Sequence, residues 1–130
     1  MIVKRSTVGQ RFTVSRLVAA VEHRGLTVFT RIDHAEHARR VNIDLLPLEV
    51  VVFGDPSVGT PLLISDPRVG IDLPLRMLVW EDGAPRSLVG YHDPRELGTR
   101  YELDQHRETL DRMAHLLDGI AAEAAGDVRV

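Results

Sequence analysis

Leu48-Glu49-Val50-Val51-Val52-Phe53-Gly54-Asp55-Pro56 is an apolar run closed by a turn. Its near-continuous hydrophobicity predicts a strand covered on both faces, because water on either side would meet a large apolar surface. Gly54-Asp55-Pro56 then breaks the strand, and the fixed φ of Pro56 suits the first position of a helix. Met77 to Trp80 has the same doubly apolar character inside a strand expected over residues 75–81. These two runs are the expected central strands of a sheet.

Residues 2–6 read as a first strand. Val14, Leu17, Val18 and Val21 follow the i, i+3, i+4, i+7 spacing, which predicts a helix over 11–24 with Gly25 at its left-handed C′ position. Leu26, Val28 and Ile32 share one face of an expected strand over 26–32. Asp33, with Glu36 three positions on, starts a short helix through about Val41. Thr60-Pro61 repeats the cap-then-proline pattern, and Asp66-Pro67 closes that segment. Asp82-Gly83-Ala84-Pro85 is a turn leading to a return strand over 87–91, a β-hairpin. Asp93-Pro94 with Glu96 caps another short helix. Leu110, Met113, Ala114, Leu117, Ile120, Ala121 and Ala124 form the apolar stripe of a last helix, starting near Asp104 and ending before Gly126. The order β-α-β-α-β-α-β-β-α-α predicts one small α/β (α+β) domain over residues 1–130, a mixed sheet with helices packed on it.

Composition agrees with this. At 130 residues the chain matches the usual size of one domain, and 44% hydrophobic with 27% charged residues is ordinary globular usage. Sixteen Lys+Arg against 19 Asp+Glu leave a net charge of −3, which gives no electrostatic reason to expect nucleic acid or an acidic membrane. Arg39-Arg40 and the pair Arg107 and Arg112 lie among acids, and aromatic residues make up only 5%, too few for a base-stacking set. The absence of cysteine excludes thiol catalysis, disulfides and cysteine metal sites. No signal-peptide core follows Met1, and no apolar stretch reaches membrane-span length. A soluble, cytoplasmic protein is the expectation.

Several short blocks occur in a fixed order: Ile32-Asp33-His34-Ala35, Phe53-Gly54-Asp55-Pro56, Gly59-Thr60-Pro61-Leu62, Asp72-Leu73-Pro74-Leu75, Trp80-Glu81-Asp82 and Tyr91-His92-Asp93-Pro94. Together they resemble the family called domain of unknown function 302, from the first strand to the last helix. The resemblance implies a small α/β domain, often a homodimer, in bacteria and archaea, and it implies no established activity. Asp55 stands where that family usually carries Asn, and Leu63 where Met is common. His37 matches no family motif residue.

Each motif has a chemical reading and a plainer one. His34 and His37 lie one helical turn apart, close enough to share a cation, yet zinc sites gather three or four ligands and Asp33 is expected to act as a cap. No metal site is assigned. Gly54-Asp55-Pro56-Ser57-Val58-Gly59-Thr60 has the glycine spacing of a phosphate loop, but Thr60 occupies the position of its lysine, so the nucleotide reading fails. Backbone N–H groups at that helix start would still suit a small anion, against a plain strand-to-helix turn. Asp72 precedes a strand whose start is marked by Pro74, and its common role is to accept backbone N–H groups in a turn. Trp80, the only tryptophan, is expected in the core or an interface. No Gly-x-Ser-x-Gly elbow surrounds Ser6, Ser15, Ser57, Ser65 or Ser87.

A site follows from topology. If strands 26–32 and 48–53 are parallel, joined by a right-handed crossover, their C-terminal ends share one edge. An antiparallel strand 75–81 brings Asp72 to that edge, and the hairpin returns His92 and Asp93 to it. Open sheets bind ligands beyond strand C-termini, so the candidate ligand-binding residues are Asp33, His34, Gly54, Asp55, Thr60, Asp72 and His92. The function expected first is binding of a small molecule or ion near His34, with no cofactor implied. Two others stand beside it: an enzyme using His34 as acid/base with Asp33, Asp72 or Asp93, and a structural module acting as a homodimer. His34 and Asp72 at opposite ends of the sheet would defeat the common edge.

Overall fold

The computed structural model describes residues 1–84 and 86–126. In chain order the elements are β1 (Ile2–Arg5), α1 (Gln10–His23), β2 (Thr27–Asp33), α2 (His34–Arg40), β3 (Leu48–Gly54), α3 (Pro56–Ser65), β4 (Leu75–Glu81), β5 (Ser87–Tyr91), α4 (Leu97–Arg100) and α5 (Arg107–Ala125). Single 3₁₀ turns at Pro67–Ile71, Pro94–Glu96 and Asp104–His106 join them.

The local chemistry sets these boundaries. Gly25, with φ of 71°, ends α1 in the left-handed region that glycine enters without a Cβ clash. Asp33 caps α2 by accepting the Glu36 N–H at 2.9 Å, and Asp55 caps α3 by accepting that of Ser57 at 2.9 Å. Thr60-Pro61 starts no new element: α3 runs through it to Ser65. Pro61 removes only the hydrogen bond that would reach Ser57, early in the helix, where tertiary packing of buried Leu62 holds the turn. Pro85, in the expected hairpin turn, lies outside the described residues.

The sheet order is β1-β5-β4-β3-β2. Val50–Phe53 and Met77–Trp80 therefore occupy interior strands, as their composition demands. Every pairing is antiparallel. The sheet is thus not mixed in direction, and β2 and β3 are not parallel. The reason lies in α2, which buries only Ala35 and so has no apolar stripe with which to pack back along the sheet. Without such a crossover the chain simply reverses, and Asp33 pairs with Glu49 at the start of β3.

Both long helices lie on one face. Val14, Leu17 and Val21 of α1 and Leu117, Ile120 and Ala124 of α5 pack on Val51, Phe53, Met77, Val79, Val89 and Tyr91. A second apolar cluster, Leu62, Val69, Leu97, Leu103, Leu110 and Met113, caps the sheet end where β3 finishes and β4 begins. The alternate strand residues Leu48, Val50, Leu78, Trp80 and Leu88 belong to neither cluster and stay half-buried. No helix among the described residues is long and apolar enough to cross a membrane.

Candidate functional site

The antiparallel register divides the expected site in two. Thr27 pairs with Gly54 and Asp33 with Glu49, so Asp33 and His34 sit at one end of the sheet and Gly54 at the other. Leu75 pairs with Phe53, which places Asp72 at the Gly54 end, and the hairpin delivers His92 there too. A seven-residue strand separates the two ends, about 20 Å. Gly54, Asp55, Thr60, Asp72 and His92 thus share an end, and Asp33 and His34 do not. Asp72 and Asp93 are therefore no partners for His34. Asp33 and His34 are exposed, and Asp33 is spent on its cap. His34 and His37 gain no third ligand: among the described residues no three His, Asp or Glu side chains gather to hold a metal.

At the populated end lies a cavity of about 270 Å³. Its walls come from Leu26 and Phe29, from Val58 and Leu63 of α3, from Leu73, Pro74 and Leu75, and from Met113 and Leu116 of α5. Asp55 and Thr60 are the only polar side chains among its lining residues. A β-bulge aims one wall. Val28 pairs with Phe53 but Thr30 pairs with Val52, leaving Phe29 as the extra residue, 48% exposed and lining the cavity. Gly54 sits between two walls, where a Cβ would lie 3.8 Å from both Phe29 and Pro74.

The anion reading of this turn fails on geometry. The Ser57 hydroxyl donates to Asp55 at 2.7 Å and the Ser57 N–H at 2.9 Å. Those two bonds hold the Asp55 carboxyl below its ordinary value, so a fixed negative charge occupies the place an anion would take.

A smaller cavity of about 70 Å³ shares Leu75 with the first and is lined by Asp72, Arg76, His92, Asp93, Glu96 and Arg100 among others. Asp72 accepts a hydrogen bond from the Tyr101 hydroxyl and lies 3.8 Å from Arg100. That bond to Asp72, followed by desolvation, raises the Tyr101 phenol above its usual range. Asp93 is held below its ordinary value chiefly by the Arg95 guanidinium, at 2.7 Å.

Sequence reasoning missed Phe29, Arg76, Met113 and Leu116 as site residues. The bulge at Phe29 has no sequence signature, and the two α5 residues read as ordinary stripe and flank. It also missed Ser65 Oγ, 2.6 Å from His106 Nε2 on the exposed surface. The two are far apart in sequence, and no third group orients the imidazole among the described residues.

An antiparallel five-stranded sheet with two long helices on one face, closed at one end over an apolar cavity, defines a small α+β domain. The family described as Domain of unknown function DUF302 matches residues 2–120, and this chain belongs to it. A crystal structure of an uncharacterized conserved DUF302 protein from Bacillus stearothermophilus shares the fold, with a TM-score of 0.82 over 95% of this chain and 96% of that one, at 18% identity. Two curated relatives are each 38% identical over 116 residues, 88% of this chain. They are the fluoride-specific ion channel FluC 1 of Brucella suis biovar 1 (strain 1330) and FluC 2 of Brucella melitensis biotype 1 (strain ATCC 23456 / CCUG 17765 / NCTC 10094 / 16M). The chain spans less than half of each, 46% and 43% of their lengths.

Proposed function

We propose that this domain is a binding module for a small, largely apolar molecule held in the cavity between α3 and the β3–β4 end of the sheet. The cavity itself carries the reading. A concave apolar site with few polar groups is the usual form of a small-molecule pocket. Its volume of about 270 Å³ is that of roughly nine waters, so the ligand is small, on the order of ten non-hydrogen atoms. His34 has no part in this reading.

Gly59 supplies the test. It lines the cavity, and a Cβ built there meets nothing within 4 Å. Gly59→Phe should therefore fill the space while leaving the fold intact. Thermal melts with octan-1-ol or indole should show the wild type stabilised and Gly59→Phe unmoved. No shift of the wild type at millimolar ligand would end the proposal.

The relatives fit such a module. Their names describe fluoride-specific ion channels, whereas this chain has no helix long and apolar enough to cross a membrane among its described residues. We read the shared segment as lying outside the conducting part of those proteins.

Self-association is a second reading, favoured by the sheet face that neither long helix covers. Leu48, Val50, Leu78, Trp80 and Leu88 present an uncharged centre there, suited to the same face of a second copy.

A further inference from the structure

A polar hollow of about 230 Å³ lies where the start of β1 and the end of β5 meet α5. It shares no lining residue with the apolar cavity. Asp111, Ala114, His115 and Asp118 follow the i, i+3, i+4, i+7 spacing and form one wall, beside the apolar stripe of the same helix. The short side chain of Ala114 leaves the space open. Tyr91 lies beneath, 3% exposed, with its ring among the core residues that α1 and α5 cover. Its register partner Ile2 lines the hollow as well. The Tyr91 hydroxyl makes no hydrogen bond among the described residues, yet no buried side-chain oxygen or nitrogen among them lacks a partner. That oxygen is therefore not sealed in the core, and it opens onto the hollow that Tyr91 lines.

The cations near this hollow already have partners. Arg95 Nη2 lies 2.7 Å from Asp93, and Lys4 Nζ lies 2.9 Å from Asp118. Asp111 has no hydrogen bond or ion pair among the described residues. Three carboxylates and one guanidinium line the hollow, so an acidic ligand is repelled. No three His, Asp or Glu side chains among the described residues gather to hold a metal, which leaves an organic cation. Burial, followed by the charges of Asp118 and Asp93, raises the Tyr91 phenol above its usual range, so at neutral pH it is a hydroxyl with a lone pair to offer. We propose that this hollow binds a small, hydrophilic organic ammonium compound. Its ammonium group donates to the Tyr91 hydroxyl oxygen among the carboxylates of Asp93 and Asp118, and Asp111 accepts from its second polar group. The volume is that of roughly eight waters, so the compound has about eight non-hydrogen atoms or fewer.

NMR titration at neutral pH with 4-aminobutan-1-ol and its uncharged counterpart butane-1,4-diol tests this. The wild type should bind the amine about tenfold more tightly than the diol, the gain of charge-assisted hydrogen bonding. Tyr91→Phe keeps the ring and breaks no hydrogen bond within the protein, so its melting temperature should stay where it was while amine affinity falls about fivefold. Asp111→Asn, a change on the exposed surface, should weaken the amine and leave the diol unaffected. Gly59→Phe, in the apolar cavity, should change neither. Equal affinity for amine and diol, no binding of the amine at millimolar concentration, or a Tyr91→Phe protein that binds it as the wild type does overturns the proposal. Earlier melting of Tyr91→Phe would give the hydroxyl a partner inside the protein and overturn it too.

Discussion

Thr13 is fully buried, and its hydroxyl joins three segments of chain. Thr13 Oγ1 lies 2.6 Å from Ser6 Oγ, 2.8 Å from Ser87 Oγ and 2.9 Å from the Gly9 carbonyl, linking β1, the start of α1 and β5. Thr13→Val keeps the shape and removes these partners. Ser87 Oγ still donates to the Val8 carbonyl at 3.0 Å and Ser6 Oγ still accepts from the Val8 N–H at 3.3 Å. Only the lost hydrogen bonds therefore count, about 0.5–1.5 kcal/mol per bond, and urea unfolding should show a loss of that order. Asp66 is the other residue with such reach, 4% exposed at the end of α3. It accepts from Arg68 Nη2 at 2.7 Å and from the Glu102 N–H at 3.0 Å, bonds that hold its carboxyl well below the ordinary 3.8. A carboxyl depressed in the folded state adds stability above its unfolded value and loses it as pH falls through the folded one. Asp66→Asn should therefore be less stable at neutral pH and lose less on acidification below 3.8, as urea midpoints across that range would show.

At the scale of elements, α3 is the least regular helix and the one that walls the cavity. Its sequence places Gly59 and Pro61 within ten residues, against the usual helix preferences. Gly59 needs no special backbone angle and its Cβ position is open, so glycine is not required for the fold. Gly59→Ala should raise stability by about 0.5–1 kcal/mol, the usual helical advantage of alanine, measured by thermal melting without ligand. A loss instead would mean that α3 needs its slack. Capping, the Gly25 stop and the α5 stripe were all readable from local spacing, because each depends on residues within about one turn. The bulge at Phe29 was not, because it exists only relative to the register of β3.

For the molecule as a whole, the uncovered sheet face is the feature with a measurable consequence. If it pairs with a second copy, light scattering behind size exclusion should give twice the 14.5 kDa chain mass at micromolar concentration. Leu78 lies at the centre of that face, paired with Val50 on one side and Gly90 on the other. Leu78→Glu should yield a monomer while the helix-covered face stays packed, since burying that charge against a partner is costly. A wild-type monomer would remove the proposal.

Length, caps and hydrophobic spacing settled the elements, their order and the place of β3 and β4 inside the sheet. They also marked Gly54, Asp55, Thr60, Asp72 and His92, which the fold gathers at one end. Strand direction lay beyond that reach. Apolar patterning looks the same whichever way a strand runs, and only the way the chain turns after α2 set β3 against β2. That single reversal moved His34 a strand's length from the other site residues and gave their end to Phe29, Arg76 and the α5 side chains. A cavity is made by surfaces distant in sequence meeting in space, so tertiary structure alone decided where it lies.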